Sequence, residues 1–330
     1  MLNVAVIGVG MMGRHHVRIL DELKNSNLVA ISDIDERRVK ELARKYHVNP
    51  YTDYKEMLKE EDIDAVSIAV PTTLHAKVAI DCIRSSKHVL IEKPIAHNVK
   101  EGQKIVREAK KHDVKLMIGH VERFNPIVQK LKKMITNNEF GEVYFISTTR
   151  IGPFPKRIRD VGVVVDLATH DFDVIRFLTE SDPKKVFALA TTGIKTKFED
   201  LADIMLFFNK KLKANVEVNW ISHEKIRELL LIGSEAMARI DYITQEMHVI
   251  ESSKAYRQEK FSNYLLEIMS TEERRVKLGN EEPLRIELDH FMKTIEKDTE
   301  PLVTGEDGVK VVKIATKALE SAKKKRPLNL

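Results

Sequence analysis

The residues best suited to chemistry begin with a glycine-rich run near the start of the chain. Gly8-Val9-Gly10-Met11-Met12-Gly13 follows an apolar strand candidate, Leu2 to Ile7, and opens a helix candidate. In that setting Gly8 permits a tight turn, Gly10 lets a pyrophosphate approach the main chain, and Gly13 lets the helix pack on the strand. The N–H groups at the helix start then face the phosphates. The pattern predicts that the whole run, including both methionines, binds a dinucleotide; a purely structural turn is the alternative.

A carboxylate follows at the distance that ribose binding requires. Asp33 lies 20 residues after Gly13, at the end of a second strand candidate, where it can accept hydrogen bonds from both hydroxyls of an adenosine ribose. Its charge would repel the 2′-phosphate of NADP, so the sequence favours NAD. Arg37 and Arg38 keep NADP open, because an arginine can pair with a 2′-phosphate, stack on adenine or lie in solvent. We include Ile34 and Arg38 in the predicted cofactor site.

A charged pair beside a proline is the next candidate. Glu92-Lys93-Pro94 directly follows the strand candidate His88 to Ile91. Doubly wound sheets bind their ligands at strand carboxyl ends. There Lys93 could hydrogen-bond a substrate hydroxyl and stabilise charge as the hydroxyl proton leaves, although a plain surface lysine would also fit.

An aspartate and a histidine form the last candidate pair. Asp166 and His170 are four residues apart, which places both on one face of a helix. Histidine suits a proton acceptor near neutral pH, and a neighbouring carboxylate orients its ring. A capping Asp166 with His170 in the core explains the spacing equally well. Asp171 and Asp173 lie nearby, but no third ligand is spaced with them, so we expect no metal site.

The elements that must position these residues alternate in the first part of the chain. Apolar strand candidates and amphipathic helix candidates succeed one another from Leu2 to about Met117, as is typical of βαβ units around a parallel sheet. The strand candidates are Leu2 to Ile7, Leu28 to Ser32, Ala65 to Val70, His88 to Ile91 and Lys115 to Ile118. The helix candidates are Met11 to Lys24, Glu36 to Tyr46, Leu74 to Ser85 and Val99 to His112.

The pattern changes after Gly119, where apolar residues begin to occupy every second position. This period indicates strands with one buried face and one polar face, and therefore a largely antiparallel sheet. Asn209-Lys210-Lys211 is typical of a hairpin turn. The strand candidates are Val143 to Thr149, Val186 to Thr192, Ile204 to Phe208, Leu212 to Trp220, Glu228 to Ile232 and Met247 to Ile250. Two helix candidates, Leu284 to Ile295 and Gly308 to Lys324, close the chain.

Composition limits the class of protein. A chain of 330 residues with 43% apolar and 32% charged residues fits two globular domains. We expect no membrane span, because the apolar runs are too short, and no secretory signal, because a strand candidate begins at Leu2. The single Cys82 reads as a small core residue, which suits the cytoplasm. The chain has a net charge of +5, and its one cluster of basic residues is Lys323 to Arg326. No nucleic-acid motif accompanies this cluster, so we expect no nucleic-acid partner.

Together these residues resemble the Gfo/Idh/MocA oxidoreductase family. The resemblance runs through the glycine run, Val70-Pro71-Thr72 with His75, Glu92-Lys93-Pro94 and the segment Asp166 to His170. It implies an α/β fold with an N-terminal Rossmann dinucleotide-binding domain at 1–120. A C-terminal α/β domain at 121–330 would carry a large, open, mostly antiparallel sheet, and the C-terminal tail is a candidate to pack back on the first domain.

The resemblance also assigns roles. Lys93, Asp166 and His170 become the catalytic trio of an NAD(P)-dependent oxidoreductase acting on a CH–OH group, with His170 as the proton acceptor. Val70-Pro71-Thr72, His75 and Glu92-Lys93-Pro94 join the cofactor site. The second domain would bind the substrate and form a homodimer or homotetramer through its open sheet.

A narrower resemblance suggests the substrate. The segments from Gly119 to Pro126, Arg150 to Pro153 and Asp160 to Gly162, with Asn219-Trp220 and Lys225 to Arg227, are similar to the branch that oxidises the 3-hydroxyl of UDP-N-acetylglucosamine or its uronic acid. Predicted substrate contacts, besides the catalytic trio, are Arg123, Asn125, Arg157 and Trp220, with Arg159 as a further candidate for an anionic group. Alternatively, Arg123 and Phe124 fix an interdomain hinge, and Trp220 lies in the core.

Other functions stay open from the sequence. An inositol or free-sugar dehydrogenase would use the same catalytic trio. A sensor or assembly protein that binds NAD without turnover is disfavoured, because such proteins usually lose the trio. Glycoside hydrolysis through transient oxidation by NAD is a further alternative.

Overall fold

A computed structural model describes residues 1–155, 161–251, 273–279 and 281–330. The chain divides into two compact units. The first unit contains Met1–Phe124 and Glu281–Lys313, and the second contains Asn125–Asn280 and Ile314–Leu330.

The first unit is a doubly wound parallel sheet. Its strands are β1 (Leu2–Ile7), β2 (Ser26–Ser32), β3 (Asn49–Tyr51), β4 (Ala65–Ile68), β5 (His88–Glu92) and β6 (Leu116–Gly119). Its helices are α1 (Met11–Glu22), α2 (Glu36–Tyr46), α3 (Tyr54–Glu60), α4 (Thr72–Arg84), α5 (Val99–Lys111), a 3₁₀ helix (Val121–Phe124) and, later in the chain, α8 (Pro283–Glu296). The order β3-β2-β1-β4-β5-β6 puts the carboxyl ends of all six described strands at one edge.

The core of this unit explains why its strands read as continuous apolar runs. Helices cover both faces of a parallel sheet, so the side chains of β1 from Val4 to Ile7 are all buried. Helix α8 packs against α1 and the 3₁₀ helix, and Leu288, Phe291 and Met292 join the same core. The unit that starts the chain is therefore completed by residues near its end.

The second unit is built on a large sheet. Its strands are β7 (Val143–Pro153), β8 (Lys185–Thr192), β9 (Glu199–Phe207), β10 (Lys213–Asn219), β11 (Ile221–Gly233), β12 (Ala236–Asp241), β13 (Glu246–Glu251), β14 (Glu273–Lys277) and β15 (Leu328–Asn329). They follow the order β14-β13-β12-β11-β7-β10-β9-β8-β15, and among the described pairs only β7 and β10 run parallel. The helices are α6 (Pro126–Thr136), a π-helical turn (Val164–Ala168), α7 (Thr169–Thr179) and α9 (Gly305–Lys324), which starts in the first unit.

Alternation along these strands gives the sheet one buried and one open face. In β10, Ala214, Val216 and Val218 are buried, whereas Asn215 and Glu217 are half-buried. Strands β9 and β10 pair antiparallel across the predicted hairpin turn, where the Asn209 side chain accepts hydrogen bonds from the N–H groups of Lys211 and Leu212. The period-two prediction and the hairpin prediction are both confirmed.

The predicted α/β fold class is confirmed, and most of the differences lie in short or polar elements. The sequence did not predict β3, α3, α6, β12, β14 or β15, nor the extent of α7. Strand β3 is the three residues Asn49-Pro50-Tyr51 at the sheet edge, where polar and proline residues are tolerated and no periodicity shows. Among the described residues, no helix combines the length and apolar character that crossing a bilayer requires.

Candidate active site

The glycine run forms a tight loop between β1 and α1. Gly8 has φ +85°, and a Cβ at this position would lie 2.8 Å from the main chain of Ala69. A Cβ at Gly13 would lie 1.8 Å from the Gly8 carbonyl oxygen. At Gly10, by contrast, no described atom outside its immediate chain neighbours lies within 4 Å of a Cβ. Gly8 and Gly13 therefore serve internal packing, and Gly10 leaves its side open for a close-approaching ligand.

The start of helix α1 suits an anion. Gly10 is the N-cap residue, and in the described part of the chain no side chain caps the first-turn N–H groups. The first turn carries no acidic residue, so the positive end of the helix dipole is unopposed there. Met11 and Met12 remain exposed beside it. The geometry of this loop leaves room for the pyrophosphate of a dinucleotide, and that role stays a prediction.

Asp33 lies at the end of β2 with its carboxylate turned toward the glycine loop. Its oxygens accept hydrogen bonds from the N–H groups of Val9 (2.8 Å) and Asp35 (2.9 Å). Arg38 Nη1 lies 3.2 Å from Asp33 Oδ1, and Arg38 Nη2 lies 3.1 Å from an oxygen of Asp35. Arg38 is thus held by two carboxylates. Ile34, which follows Asp33, is 92% exposed and offers an apolar surface at the same edge.

The segments after β4 and β5 are joined by a buried histidine. Val70 follows β4, and Pro71 is the N-cap residue of α4, which begins at Thr72. His75 Nε2 lies 2.9 Å from the Val70 carbonyl oxygen, and Nδ1 lies 2.8 Å from the Pro94 carbonyl oxygen. Burial lowers the pKa of His75, and the carbonyl contacts only partly offset this.

Glu92 turns inward from the end of β5. Its Oε1 lies 3.0 Å from Nε2 of the fully buried His16, whose Nδ1 lies 2.7 Å from Ser67 Oγ. Its Oε2 accepts a hydrogen bond of 3.1 Å from the Lys93 N–H. Burial acts to raise the pKa of Glu92, but His16 and Lys93 outweigh it and leave the pKa below its ordinary value. The carboxylate is therefore ionised at neutral pH.

In the second unit, Asp166 and His170 occupy consecutive helical turns. Asp166 lies in the π-helical turn, and His170 lies in the first turn of α7. The predicted helical setting of this pair is therefore correct, with a π turn that the sequence did not reveal. Such turns occur frequently at functional sites.

A buried carboxylate supports the start of the π turn. Glu199 Oε1 accepts a hydrogen bond of 3.2 Å from the Val164 N–H. A Cβ at Gly162 would lie 2.2 to 2.3 Å from the Glu199 carboxylate, so only glycine fits there without rearrangement. Burial raises the pKa of Glu199.

An ion pair anchors the first turn of α7. Asp171, next to His170, pairs with Arg150 of β7 through Nε–Oδ2 (2.9 Å) and Nη2–Oδ1 (3.2 Å) contacts. Both side chains are buried, and the Arg150 guanidinium also lies 5.4 Å from the centre of the Tyr242 ring. His170 is thus attached to a rigid helix start.

The remaining predicted contacts lie in mostly structural surroundings. Arg123 is buried and donates from Nη1 to the Leu302 carbonyl oxygen (2.9 Å) and to Asp307 (3.1 Å), within the first unit. Asn125 is the N-cap residue of α6. Trp220 is buried and packs edge-on against Phe154, as its apolar parity suggested. Arg157, Arg159 and Asp160 lie outside the described residues, and the substrate contacts of Arg123, Asn125 and Trp220 stay predictions.

Comparison with known proteins places this site in a family. Residues 2–120 match the NAD-binding Rossmann domain of the Gfo/Idh/MocA oxidoreductase family, and residues 132–330 match its C-terminal alpha/beta domain. The chain belongs to the Gfo/Idh/MocA family. It is accordingly an oxidoreductase with a nicotinamide cofactor, and the predicted resemblance is confirmed.

Gfo/Idh/MocA relatives act on different polyols and sugars. The chain is 29% identical over 248 residues to the UDP-N-acetylglucosamine 3-dehydrogenase of Acidithiobacillus ferrooxidans, covering 75% of this chain and 76% of that protein. It is 26% identical over 340 residues to the myo-inositol 2-dehydrogenase of Thermotoga maritima, covering 100% and 98%. A solved structure of the Acidithiobacillus enzyme superposes with a TM-score of 0.86 at 25% identity, covering 98% of each chain.

Several residues around this Gfo/Idh/MocA site were missed from the sequence. His16, Ser67, Glu199 and the Arg150–Asp171 pair were not assigned roles. His16 carried a usable signal, because it lies on the buried face of α1 with Gly13, Val17 and Leu20, where a polar side chain needs a partner. Among the described residues, no three histidine, cysteine or acidic side chains are grouped to hold a metal ion.

Proposed function

We propose that this protein is an NAD-dependent sugar dehydrogenase in which Lys93, Asp166 and His170 carry out the proton chemistry. The observation that supports this best is the location of Lys93. It follows β5 at the same carboxyl edge of the parallel sheet as the glycine loop and Asp33. A cation at that edge is suited to hold a substrate hydroxyl next to a dinucleotide.

In the proposed reaction, the glycine loop and Asp33 would hold NAD, which would supply the hydride acceptor for oxidation of a sugar carbon. His170 takes the proton of the hydroxyl on that carbon, and Asp166 orients the imidazole and stabilises its charged form. Lys93 donates a hydrogen bond to the same oxygen and stabilises it as the proton leaves. The Arg150–Asp171 pair and Glu199 keep the helical turns of His170 and Asp166 in place.

We propose NAD rather than NADP because of the charges around Asp33. A 2′-phosphate would meet a carboxylate there. Arg38, the cation best placed to neutralise a phosphate, already lies against Asp33 and Asp35. Both features favour a free ribose 2′-hydroxyl.

We propose that the substrate is UDP-N-acetylglucosamine or its uronic acid, oxidised at the 3-hydroxyl. The support is the similarity to the Acidithiobacillus UDP-N-acetylglucosamine 3-dehydrogenase in both sequence and structure. A specific alternative is an inositol, because the Thermotoga myo-inositol 2-dehydrogenase matches over the whole chain.

One experiment separates these substrates. The purified protein is incubated with NAD and, in turn, UDP-N-acetylglucosamine, its uronic acid, free N-acetylglucosamine and myo-inositol, while absorbance near 340 nm is followed. We expect reduction of NAD with a UDP-sugar at least about tenfold faster than with the others. Faster reaction with myo-inositol would replace the substrate proposal, and no reduction with any polyol or sugar would favour a non-catalytic NAD-binding role.

We further propose that residues 1–120 bind the cofactor and that 121–330 bind the substrate and form a cytoplasmic dimer or tetramer, although the segment 281–313 packs in the first compact unit. The open face of the large sheet supports assembly, because it carries exposed apolar side chains such as Leu189 and Met205. Sedimentation at micromolar concentration is expected to show an oligomer, and a monomer would contradict this.

A further inference from the structure

The main chain at Lys93 is held from both sides by side chains of the first unit, the largely buried Glu92 and the buried His75. On the preceding side, the Lys93 N–H donates to Glu92 Oε2. On the following side, the Pro94 carbonyl oxygen is in hydrogen-bonding contact with His75 Nδ1. Pro94 has no N–H. The first and last main-chain polar groups of the Lys93–Pro94 pair are therefore the Lys93 N–H and the Pro94 carbonyl oxygen, and each of them has a contact.

The contacts of Glu92 extend to helix α1. Glu92 Oε1 contacts His16 Nε2, and His16 Nδ1 contacts Ser67 Oγ on the adjacent strand β4. His16 is fully buried, and the Glu92 side chain is 12% exposed. Each ring nitrogen of His16 and each oxygen of Glu92 therefore has a partner, which locks both rotamers.

The chain of contacts links the cofactor loop to Lys93. Helix α1 begins at the glycine loop, and His16 lies one turn after Gly13. A shift of α1 would be transmitted through His16 and Glu92 to the Lys93 main chain. Support of this kind holds reacting groups to within about 0.5 Å of the productive geometry.

We propose that His16 and Glu92 are positioning residues for Lys93, with Ser67 fixing the His16 ring. The resemblance placed Glu92 in the cofactor site, and its described contacts with His16 and the Lys93 N–H give it this further role. The inference rests on the proposed function in one respect, that Lys93 acts on the substrate.

Hydrogen exchange tests the geometry without any activity. Exchange of the Lys93 amide is measured in the cofactor-free protein by mass spectrometry with residue-level fragmentation of the 88–97 segment. Glu92→Ala and His16→Leu are expected to speed this exchange at least about tenfold, and Ser67→Ala by a few fold. The matched control is His15→Leu, since His15 is the exposed neighbour of His16 on α1. Unchanged Lys93 exchange in Glu92→Ala would overturn the proposal.

The variant Glu92→Gln distinguishes an effect on the position of Lys93 from an effect of the charge of the Glu92 carboxylate. A glutamine oxygen can still accept from the Lys93 N–H, and its amide can donate to His16 Nε2 if the ring proton moves to Nδ1 and donates to Ser67. We therefore expect Glu92→Gln to stay within about threefold of the wild type in exchange and in kcat. Glu92→Ala should lower kcat at least about tenfold with the KM for NAD nearly unchanged. A Glu92→Gln protein as impaired as Glu92→Ala would show that charge, not position, matters.

A double variant tests whether His16 acts through Glu92. Residues of one network give non-additive effects, so His16→Leu with Glu92→Ala should be no slower than Glu92→Ala alone. Fully additive losses would contradict the linkage. Should His16→Leu fail to fold, His16→Gln, which keeps one of the two hydrogen bonds, takes its place. If the wild type shows no dehydrogenase activity, the proposed function fails while the exchange result still decides the positioning role.

Discussion

The two units support their candidate site residues in different ways. In the first unit, the side chains of Glu92 and His75 hold main-chain groups, namely the Lys93 N–H and the carbonyl oxygens of Val70 and Pro94, and the glycine loop depends on its own backbone conformation. In the second unit the supports are buried ionisable side chains on distant elements, with Arg150 against Asp171 and Glu199 under the π turn. The first arrangement depends on how main-chain groups are held, and the second depends on the partners of buried ionisable groups.

This difference predicts whether a substitution in each unit lowers the stability of the fold or the rate of the reaction. Loss of one partner of a buried ion pair leaves the other charge unpaired and desolvated, which is costly. Loss of a functional side chain at a backbone-built edge should impair chemistry while the fold persists. The following variants test this contrast, from the largest expected effect to the smallest.

Arg150→Met should destabilise the second unit most. It removes the Arg150 guanidinium from the buried Asp171, and breaking a buried pair typically costs about 3–5 kcal/mol. Urea unfolding followed by the fluorescence of Trp220, the single tryptophan, reports this unit. Lys211→Met, which breaks the exposed pair with Glu142, is the control and should change the midpoint little. Equal effects would remove the contrast between buried and exposed pairs.

Lys93→Ala, in the first unit, and His170→Ala, in the second unit, should both slow the reaction. Each is expected to lower kcat by at least about 10² while the dissociation constant of NAD stays within a few fold, because both act mainly in the transition state. The wild-type rate should fall below about neutral pH, and His170→Ala should lose that limb. Lys100→Ala and His223→Ala, at exposed positions, serve as controls. Persistence of the acidic limb in His170→Ala would move the base to another group.

Asp33→Ala should change the affinities for NAD and NADP rather than the reaction rate. Loss of hydrogen bonds to a charged acceptor, about 1.5–3 kcal/mol, should weaken NAD binding about tenfold or more. Asp35→Asn retains the cap of α2 but releases one hold on Arg38. The double variant should therefore bind NADP better than Asp33→Ala alone, as measured by fluorescence titration. Equal loss for both cofactors in every variant would refute the role of Asp33.

Glu199→Gln should have the smallest effect, visible as a pH dependence. Because burial raises the pKa of Glu199, its protonated form favours the folded state, and that stability is lost as pH rises through the raised pKa. The wild type should therefore lose stability relative to Glu199→Gln as pH rises from the ordinary carboxyl range. Trp220-monitored urea midpoints at several pH values measure it. Parallel midpoints at all pH values would contradict a raised pKa.

The cofactor edge was predictable because its signals are contiguous in the sequence. The glycine run, Asp33 and Glu92-Lys93-Pro94 each follow a strand, and in a parallel sheet all strand ends reach one edge. The supports were not predictable, since His16 and Glu92 lie 76 residues apart, and Glu199 lies 35 residues after Val164. Such pairs depend on sheet order and register, which a single sequence does not encode as a local pattern.

For the second unit, the sequence predicted mainly the alternation of buried and exposed residues along the strands. Alternation identified β10 and its hairpin with β9, but not the parallel pairing of β10 with β7, which joins strands distant in the chain. The spacing of Asp166 and His170 was equally compatible with a cap and a core histidine. The contact of Glu199 with the Val164 N–H at the start of the π turn joins residues that are distant in the sequence.

Helix α8 also affects how the protein is made. The first unit takes Leu288, Phe291 and Met292 into its core, although its main segment ends at Phe124 and its second begins at Glu281. At roughly 5–20 residues per second, a ribosome needs about 8–30 s to synthesise the roughly 150 residues between them. During that interval the emerging chain exposes the apolar surface that α8 will cover, and this surface is a natural binding site for a chaperone.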